Sequence, residues 1–298
     1  MCGIAGVVLK HPAAAADCVL NMLELIQHRG HDASGIAVFG TSGEGLLRVS
    51  LKNELLIDDL RRIVGEFGKM TDERIIEARN SIPIAEIKAR LPEDAVRPLH
   101  EAINRRHGLC VHSIGNGMRV YKENGNIENL LAKHSIDKSP CRHAIGHVRM
   151  ATESAEDVNA AHPFISPFYP GLSIVHNGQF TNYFNLRRFL EAKGAIFKTL
   201  NDSEAASHLI AYAARESKGD LYEALRWSEE RMDGIYCVIA ATESQIGFAK
   251  DPLGIKPLLL AETDEAVLLG SEQIEFSAAG NGIFAAEMAP GEVRVWDV

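Results

Sequence analysis

The chain opens with MCGIAGVVL at residues 1–9, and this stretch decides the fold because it predicts a strand that starts at the N-terminus itself. The stretch is apolar, but it lacks the basic leader and the cleavage site of a secretory signal. It therefore puts Cys2 at the beginning of the first strand. Elsewhere no stretch approaches the ~20 consecutive apolar residues that a bilayer span requires, so we expect no membrane association.

Length and composition narrow the classes of protein that this chain can be. Its 298 residues are 46% hydrophobic, enough to bury a substantial core in one large domain or two small ones. The formal net charge of −9 argues against binding to nucleic acid or to an acidic membrane surface, where a basic patch would be expected. Its five cysteines are odd in number and form no CxxC, which fits a reducing cytoplasm and argues against a disulfide framework.

A metal site has one candidate pair, His143 and His147, which lie four residues apart. The apolar run around the pair, together with Gly146, indicates a strand, in which this spacing does not converge on one ion. We therefore expect no metal ion and no other cofactor.

Helix-like and strand-like patterns alternate along the chain and predict antiparallel sheets covered by helices. A helix-spaced apolar stretch spans residues 19–26, and a strand follows at 35–39. From 52 to 107 the chain is highly charged and again helix-spaced, which predicts a helical insertion within a single domain of residues 1–298. The later patterns predict strands at 109–114, 118–122, 144–148, 172–175, 235–241, 245–249, 257–260 and 266–269, and helices at 182–192 and 203–214.

Cys2 is the first candidate for chemistry. Methionine before a small residue is normally removed, and removal of Met1 would leave a cysteine with both a thiol and a free α-amine. An α-amine titrates near ~8, so it can act as the base for the thiol, and one residue then supplies nucleophile and base. Alternatively, Cys2 is a small hydrophobic residue at the start of a strand.

Three further sites each allow two interpretations. Asn177-Gly178 is either a type I′ hairpin turn or a pair of hydrogen-bond donors for an oxyanion. Arg149 ends an apolar strand and is either solvated or a bidentate clamp for a carboxylate. Asp202 is either a helix cap or the group that receives the α-ammonium of an amino acid.

Seven short segments occur in an order that distinguishes between these interpretations. They are MCGIAG (1–6), QHRGHDASGI (27–36), GHVR (146–149), AHP (161–163), HNG (176–178), NDSE (201–204) and KDPLGIKPL (250–258). Together they resemble the class II glutamine amidotransferases, the glutaminase branch of the N-terminal nucleophile hydrolases. The resemblance covers nearly the whole chain outside residues 52–107 and makes the purely structural interpretation of Cys2 improbable.

The resemblance implies an α+β fold, a four-layer αββα sandwich, and a set of roles for the site residues. Cys2 would attack the side-chain amide of glutamine and form a γ-glutamyl thioester, with Asn177 and Gly178 as the oxyanion hole. Arg149 would bind the α-carboxylate and Asp202 the α-amine. Three further positions match the family: Thr152 and His162 line its glutamine pocket, and Arg29 has a structural role or steadies the glutamine loop. Met150 departs from the family, whose members usually carry an aromatic residue there.

The resemblance also implies a partner, because members of this family usually carry the synthase that consumes the ammonia on the same chain. No such segment is recognisable here, so we expect a glutaminase subunit acting in trans, with a flavin-binding, glutamate-synthase-like partner of the N-methylglutamate synthase type. A split or truncated relative of amidophosphoribosyltransferase is one alternative. A non-catalytic glutamine sensor is another, although it would not need an intact Cys2. The 52–107 insertion is either a surface subdomain or a docking surface or lid.

Overall fold

The structure is a computed structural model that describes residues 1–40, 45–78, 81–150 and 157–298. Within these residues the strands are β1 Gly3–Ala13, β2 Ala33–Phe39, β3 Gly45–Leu51, β4 Lys69–Ala78, β5 Ser81–Arg90, β6 Leu109–Ser113, β7 Met118–Asn124, β8 Cys141–Arg149, β9 Phe164–Ile165, β10 Ser173–Phe180, β11 Gly234–Ala241, β12 Gln245–Lys250, β13 Leu259–Glu262, β14 Ala266–Gly270, β15 Ala286–Glu287 and β16 Val293–Asp297. The helices are α1 Ala15–Leu25, α2 Ile57–Phe67, α3 Val96–Arg105, α4 Ile127–Lys133, α5 Tyr183–Ala192, α6 Asp202–Glu216 and α7 Leu221–Glu229.

Two antiparallel sheets form the centre of the molecule. Among the described strands, one sheet has the order β15-β13-β14-β1-β8-β2-β7 and the other the order β16-β12-β11-β10-β9. Side chains alternate between the two faces of each strand, so each sheet contributes one apolar face to the layer between the sheets. That layer contains Ile4, Phe39 and Ile145 from the first sheet and Val175 and Phe248 from the second.

Helices cover the outer faces of both sheets. Helix α1 packs on the first sheet through a cluster that includes Val19 and Leu23. Helices α6 and α7 pack on the second sheet through a cluster that includes Leu209 and Leu225. The arrangement is helix, sheet, sheet, helix, which confirms the predicted αββα class. None of the helices in the described part of the chain is long and apolar enough to cross a bilayer.

A third sheet corrects the prediction that residues 52–107 are a helical insertion. The segment contains α2 and α3, but between them the hairpin β4–β5 joins β3 and β6 in the order β4-β5-β3-β6. The alternation that makes β5 a strand is visible in its burial, because Ala85, Ile87 and Ala89 join an apolar cluster with the two helices. The high charge of the intervening residues masked this period-2 pattern, since it belongs to the opposite face of the sheet.

Candidate active site

Strand alternation predicts that Arg149, Asn177 and Cys2, the residue that directly precedes β1, face the same layer of the sandwich. Residues two apart on a strand face the same side. Cys2 has the parity of Ile4, Arg149 that of Ile145, and Asn177 that of Val175, and all three reference residues lie in the layer between the sheets.

Two contacts show where these residues lie along the strands of the two sheets. Gly3 pairs with Val148, so Cys2 lies next to the end of β8 where Arg149 is found. His147 Nε2 donates to His176 O across the two sheets at 3.1 Å, one residue before Asn177. The start of β1, the end of β8 and the Asn177 region of β10 therefore lie at the same end of the sandwich.

Cys2 is half-buried, and a hydrogen bond holds its backbone carbonyl. Its thiol lies 3.7 Å from Met150 O, at the rim of the site, where Met150 is exposed. Arg29 is buried and donates through Nε to Cys2 O at 2.9 Å, while its Nη1 donates to Glu272 Oε1 at 2.6 Å. These contacts make Arg29 a residue that positions the Cys2 backbone.

Asn177 and Gly178 lie inside strand β10, which corrects the alternative of a hairpin turn. They pair with Cys237 and Tyr236 of β11. Asn177 is 2% exposed, and among the described residues its Nδ2 has no hydrogen-bond acceptor. A buried amide donor without an acceptor is uncommon in proteins and calls for an explanation. Here the donor faces the layer that holds Cys2.

Gly178 is required by a close approach of two backbones. A Cβ atom at this position would lie 2.1 Å from Ile235 O, and the glycine has a φ of +157°. Alternate N–H groups of a strand point to the same side, and the Phe180 N–H donates to Asp202 Oδ2 at 2.9 Å. The Gly178 N–H therefore points to the Asp202 side of β10, away from β11.

Asp202 is the first residue of helix α6, and the capping role belongs to its neighbour. Asn201 is the N-cap, because its side chain accepts a hydrogen bond from Ser203 N. The Asp202 carboxylate is about one-fifth exposed and lies 3.9 Å from His176 Nδ1, in addition to its bond with Phe180 N. A carboxylate at this place can receive an ammonium group from the solvent side.

Arg149 and His162 complete the described part of the candidate site. Arg149 is 3% exposed, and its carbonyl accepts from Asp32 N at 2.9 Å. The His162 ring stacks on the His147 ring with 3.9 Å between centroids, and burial holds the pKa of His162 well below its usual range. Neither ring nitrogen of His162 has a hydrogen-bond partner within the described chain. Thr152, the remaining sequence-predicted residue, falls in 151–156 and lies outside the described residues.

Several residues around the site were not predicted from the sequence. Glu272 holds Arg29 from 243 positions away, and Ser203 Oγ lies 2.7 Å from His176 Nδ1. Lys122 Nζ donates to Ala161 O, just before His162, and Asn159 Oδ1 accepts from Ser50 Oγ. Ser203 lies in the NDSE segment, but its contact, like those of the other three, joins distant segments and has no local signature. Among the described residues no group of three His, Cys, Asp or Glu side chains is placed to hold a metal ion.

Comparisons with known proteins identify relatives of this chain. A family described as glutamine amidotransferase domain matches residues 147–278. A putative glutamine amidotransferase of Methanothermobacter thermautotrophicus is 34% identical, and the match covers 100% of both chains. The glutamine amidotransferase-like protein GlxB of Rhizobium meliloti is 35% identical over 91% of this chain and 89% of its own. Amidophosphoribosyltransferase 1 of Arabidopsis thaliana is 32% identical over 58% of this chain and 30% of its own.

A solved structure supports the fold. The glutamine phosphoribosylpyrophosphate amidotransferase from B. subtilis superimposes with a TM-score of 0.63 at 23% identity, over 99% of this chain and 47% of that one. At this identity the likeness concerns the fold, and it agrees with the αββα sandwich described above. The fold and the end-to-end match to the M. thermautotrophicus protein lead to one conclusion: this chain belongs to the class II glutamine amidotransferases, a family of amide-hydrolysing enzymes.

Proposed function

We propose that Cys2, freed at its amino group by removal of Met1, hydrolyses glutamine to glutamate and ammonia. The observation that carries this proposal is the shared layer of Cys2, Arg149 and Asn177, where the Asn177 Nδ2 has no acceptor among the described residues. With Met1 attached, the Cys2 nitrogen is an amide and cannot take a proton. With Met1 removed, it is an amine that can act as the general base.

The proposed reaction proceeds in two halves. The Cys2 sulfur adds to the side-chain carbonyl carbon of glutamine while the α-amine takes the thiol proton. The Asn177 Nδ2–H and the Gly178 N–H stabilise the oxyanion that forms. The amine then returns the proton to the departing nitrogen, ammonia leaves, and a thioester remains. Water adds to the thioester carbonyl while the α-amine takes its proton, the sulfur departs and receives that proton from the amine, and glutamate is released.

The same proposal assigns the recognition of glutamine. Arg149 binds the α-carboxylate, since a guanidinium can hold a carboxylate through two parallel hydrogen bonds. Asp202 receives the α-ammonium on the side that remains exposed. His162 and Thr152 line the pocket. Arg29 acts through the Cys2 backbone, in line with its bond to Cys2 O.

We further propose that the ammonia passes to a separate synthase subunit, of the flavin-binding glutamate-synthase type found in N-methylglutamate synthases. The M. thermautotrophicus relative supports a separate glutaminase chain, because the match covers its entire length. A cytoplasmic location is part of the proposal and is supported by the five free cysteines. The part of the 52–107 segment that forms the third sheet is a candidate docking surface for the partner.

The glutaminase step is tested by assaying glutamate and ammonia after incubation of the purified chain with glutamine. We expect Cys2→Ser to lower kcat by about three orders of magnitude or more. Cys18→Ser is the matched control, because burial raises the pKa of Cys18 to about 11 and leaves that thiol unreactive. Mass spectrometry of the active protein should show Cys2 as the first residue. Undiminished turnover in Cys2→Ser would contradict the nucleophile assignment.

The transfer step is tested by feeding amide-¹⁵N glutamine to the complex that co-purifies with the native chain. Label in an amino-acid product formed with a flavoprotein partner supports the synthase proposal. Label in a phosphoribosylamine would instead favour the amidophosphoribosyltransferase-like alternative. A wild-type chain that binds glutamine without turnover, alone and in the complex, would make the protein a sensor.

A further inference from the structure

The segment from Asn159 to His162 forms a wall of the candidate active site. On one flank, Asn201 Nδ2 donates to Ala160 O at 3.0 Å, next to Asp202. On the other flank, the His162 ring stacks on His147, whose Nε2 bonds to His176 O beside Asn177. A shift of this segment would therefore displace residues next to Asp202 on one side of the site and next to Arg149 on the other.

Two side chains of the third sheet bond to one side chain of this wall. Asn159 Oδ1 accepts a hydrogen bond from Ser50 Oγ at 2.6 Å and another from His112 Nε2 at 3.0 Å. Ser50 belongs to β3 and His112 to β6, the two neighbouring strands of the third sheet. Both donors are buried, so neither can exchange its bond for one with water.

A side chain of the first sheet also bonds to this segment. Lys122 of β7 is 4% exposed, and its Nζ donates to Ala161 O at 3.1 Å and lies 3.5 Å from Asn159 O. The segment is thus bonded to Lys122 of the first sheet on one side and to Ser50 and His112 of the third sheet on the other. Asn159 is its point of attachment to the third sheet.

We propose that Asn159 is a positioning residue through which the third sheet sets the affinity of the enzyme for glutamine. The proposal rests on the proposed glutaminase function. It separates binding from chemistry, because Cys2 is held by Arg29 and Glu272, while Asn177 and Gly178 are held in β10. A less rigid 159–162 segment should lower the affinity for glutamine and leave the positions of Cys2, Asn177 and Gly178 unchanged.

The test compares Asn159→Ala with Asn159→Asp. Alanine removes the acceptor of both bonds, and we expect KM for glutamine to rise about tenfold with kcat within about twofold of wild type. Aspartate retains an oxygen acceptor for Ser50 and His112 and should keep KM within about twofold of wild type. Asn126→Ala is a control for loss of a polar contact elsewhere, because Asn126 caps α4 through Asn129 N.

A second readout follows from the reciprocity of coupled binding. In the Cys2→Ser background, glutamine should slow hydrogen exchange of amides in β3 and β6, and Asn159→Ala should abolish this protection. A purely structural role would not produce a glutamine-dependent change. If Asn159→Ala does not fold, Ser50→Ala carries the same test with one donor removed.

An unchanged KM in folded Asn159→Ala, or a loss confined to kcat, would overturn the proposal. Equal KM increases in Asn159→Asp and Asn159→Ala would also overturn it. The proposed glutaminase function fails separately and first, in a wild-type chain that does not hydrolyse glutamine alone or in the complex.

Discussion

Asn177 buries an amide whose Nδ2 has no acceptor among the described residues, and the proposed reaction uses this donor to stabilise its oxyanion. An unsatisfied buried donor costs on the order of 1–3 kcal/mol in stability, so its presence is better explained by catalysis than by folding. The identity of this residue was evident from the HNG segment. Its orientation was not, because the same dipeptide predicts a turn.

We predict that Asn177→Ala lowers kcat by about 10²–10³, the usual cost of removing one oxyanion donor. The free energy of unfolding should change by less than about 1 kcal/mol, because the Nδ2 gives up no protein bond and the small cavity is offset by relief of the unpaired donor. Steady-state kinetics and urea unfolding measure the two quantities.

Asn104→Ala is the matched control for this prediction. Asn104 is also buried, but its Oδ1 accepts from Val111 N at 3.1 Å. Loss of this acceptor in Asn104→Ala should lower the free energy of unfolding by about 1–3 kcal/mol and leave kcat unchanged. A kcat for Asn177→Ala equal to that of wild type would remove Asn177 from the oxyanion hole.

At the scale of elements, charged side chains are buried in the junction between the third sheet and the body of the molecule. Arg48 of β3 is 1% exposed, stacks on the Tyr121 ring of β7 at 4.4 Å and forms a buried ion pair with Glu86 of β5. Glu86 also pairs with Arg74 of β4. Glu86, one of the charges in the 52–107 segment that was predicted to be a helical insertion, is therefore buried in the junction between the third sheet and the sandwich.

We predict that Glu86→Gln destabilises the protein by about 3–5 kcal/mol, because it leaves the Arg48 guanidinium buried without a counter-charge. Burial lowers the pKa of Arg48 to about 10, so this group remains charged at neutral pH. Glu73→Gln is the control on the same sheet. It breaks a pair with Arg61 that is half-exposed, and should cost about 1 kcal/mol or less. Equal costs in urea unfolding would contradict the buried-pair argument.

At the scale of the whole molecule, many histidines are buried in a neutral state. Burial lowers the pKa of His147 and His100 to about 3 and that of His143 and His208 to about 4. A lowered pKa means that the unfolded chain binds more protons than the folded chain below about pH 6.5. Above that pH these histidines do not change the free energy of unfolding. As the pH falls toward 4 they lower it.

We predict that His143→Gln makes the protein less sensitive to acid. His143 Nε2 bonds to Thr242 O at 2.6 Å, and a glutamine amide can supply a similar donor without titrating. Between pH 8 and pH 5 the wild-type chain should lose about 2 kcal/mol more of its unfolding free energy than the variant. Urea unfolding at both pH values measures this difference. Equal losses would show that His143 is not the source.

Local patterns in the sequence predicted antiparallel sheets covered by helices, and the resemblance of seven short segments to a known family implied the sandwich and the candidate site residues. Periods of 2 and 3.6 residues report which face of an element is apolar, and this information lies within about ten residues of chain. The strand from Ile235 to Ala241, for example, was predicted with bounds within one residue of β11. The strands β4 and β5 were missed because the charge on one of their faces obscured the period.

Only the tertiary structure decided what the polar residues of the site contact. Glu272 reaches Arg29 across 243 positions, and Ser50 reaches Asn159 across 109. The inward orientation of Asn177 depends on the register of β10 with β11. Such contacts have no local signature, because any polar residue satisfies the local pattern and the partner is chosen by how the sheets pair and stack. The stretch at residues 1–9 predicted where Cys2 begins its strand, and the stacking of the two sheets decided what Cys2 faces.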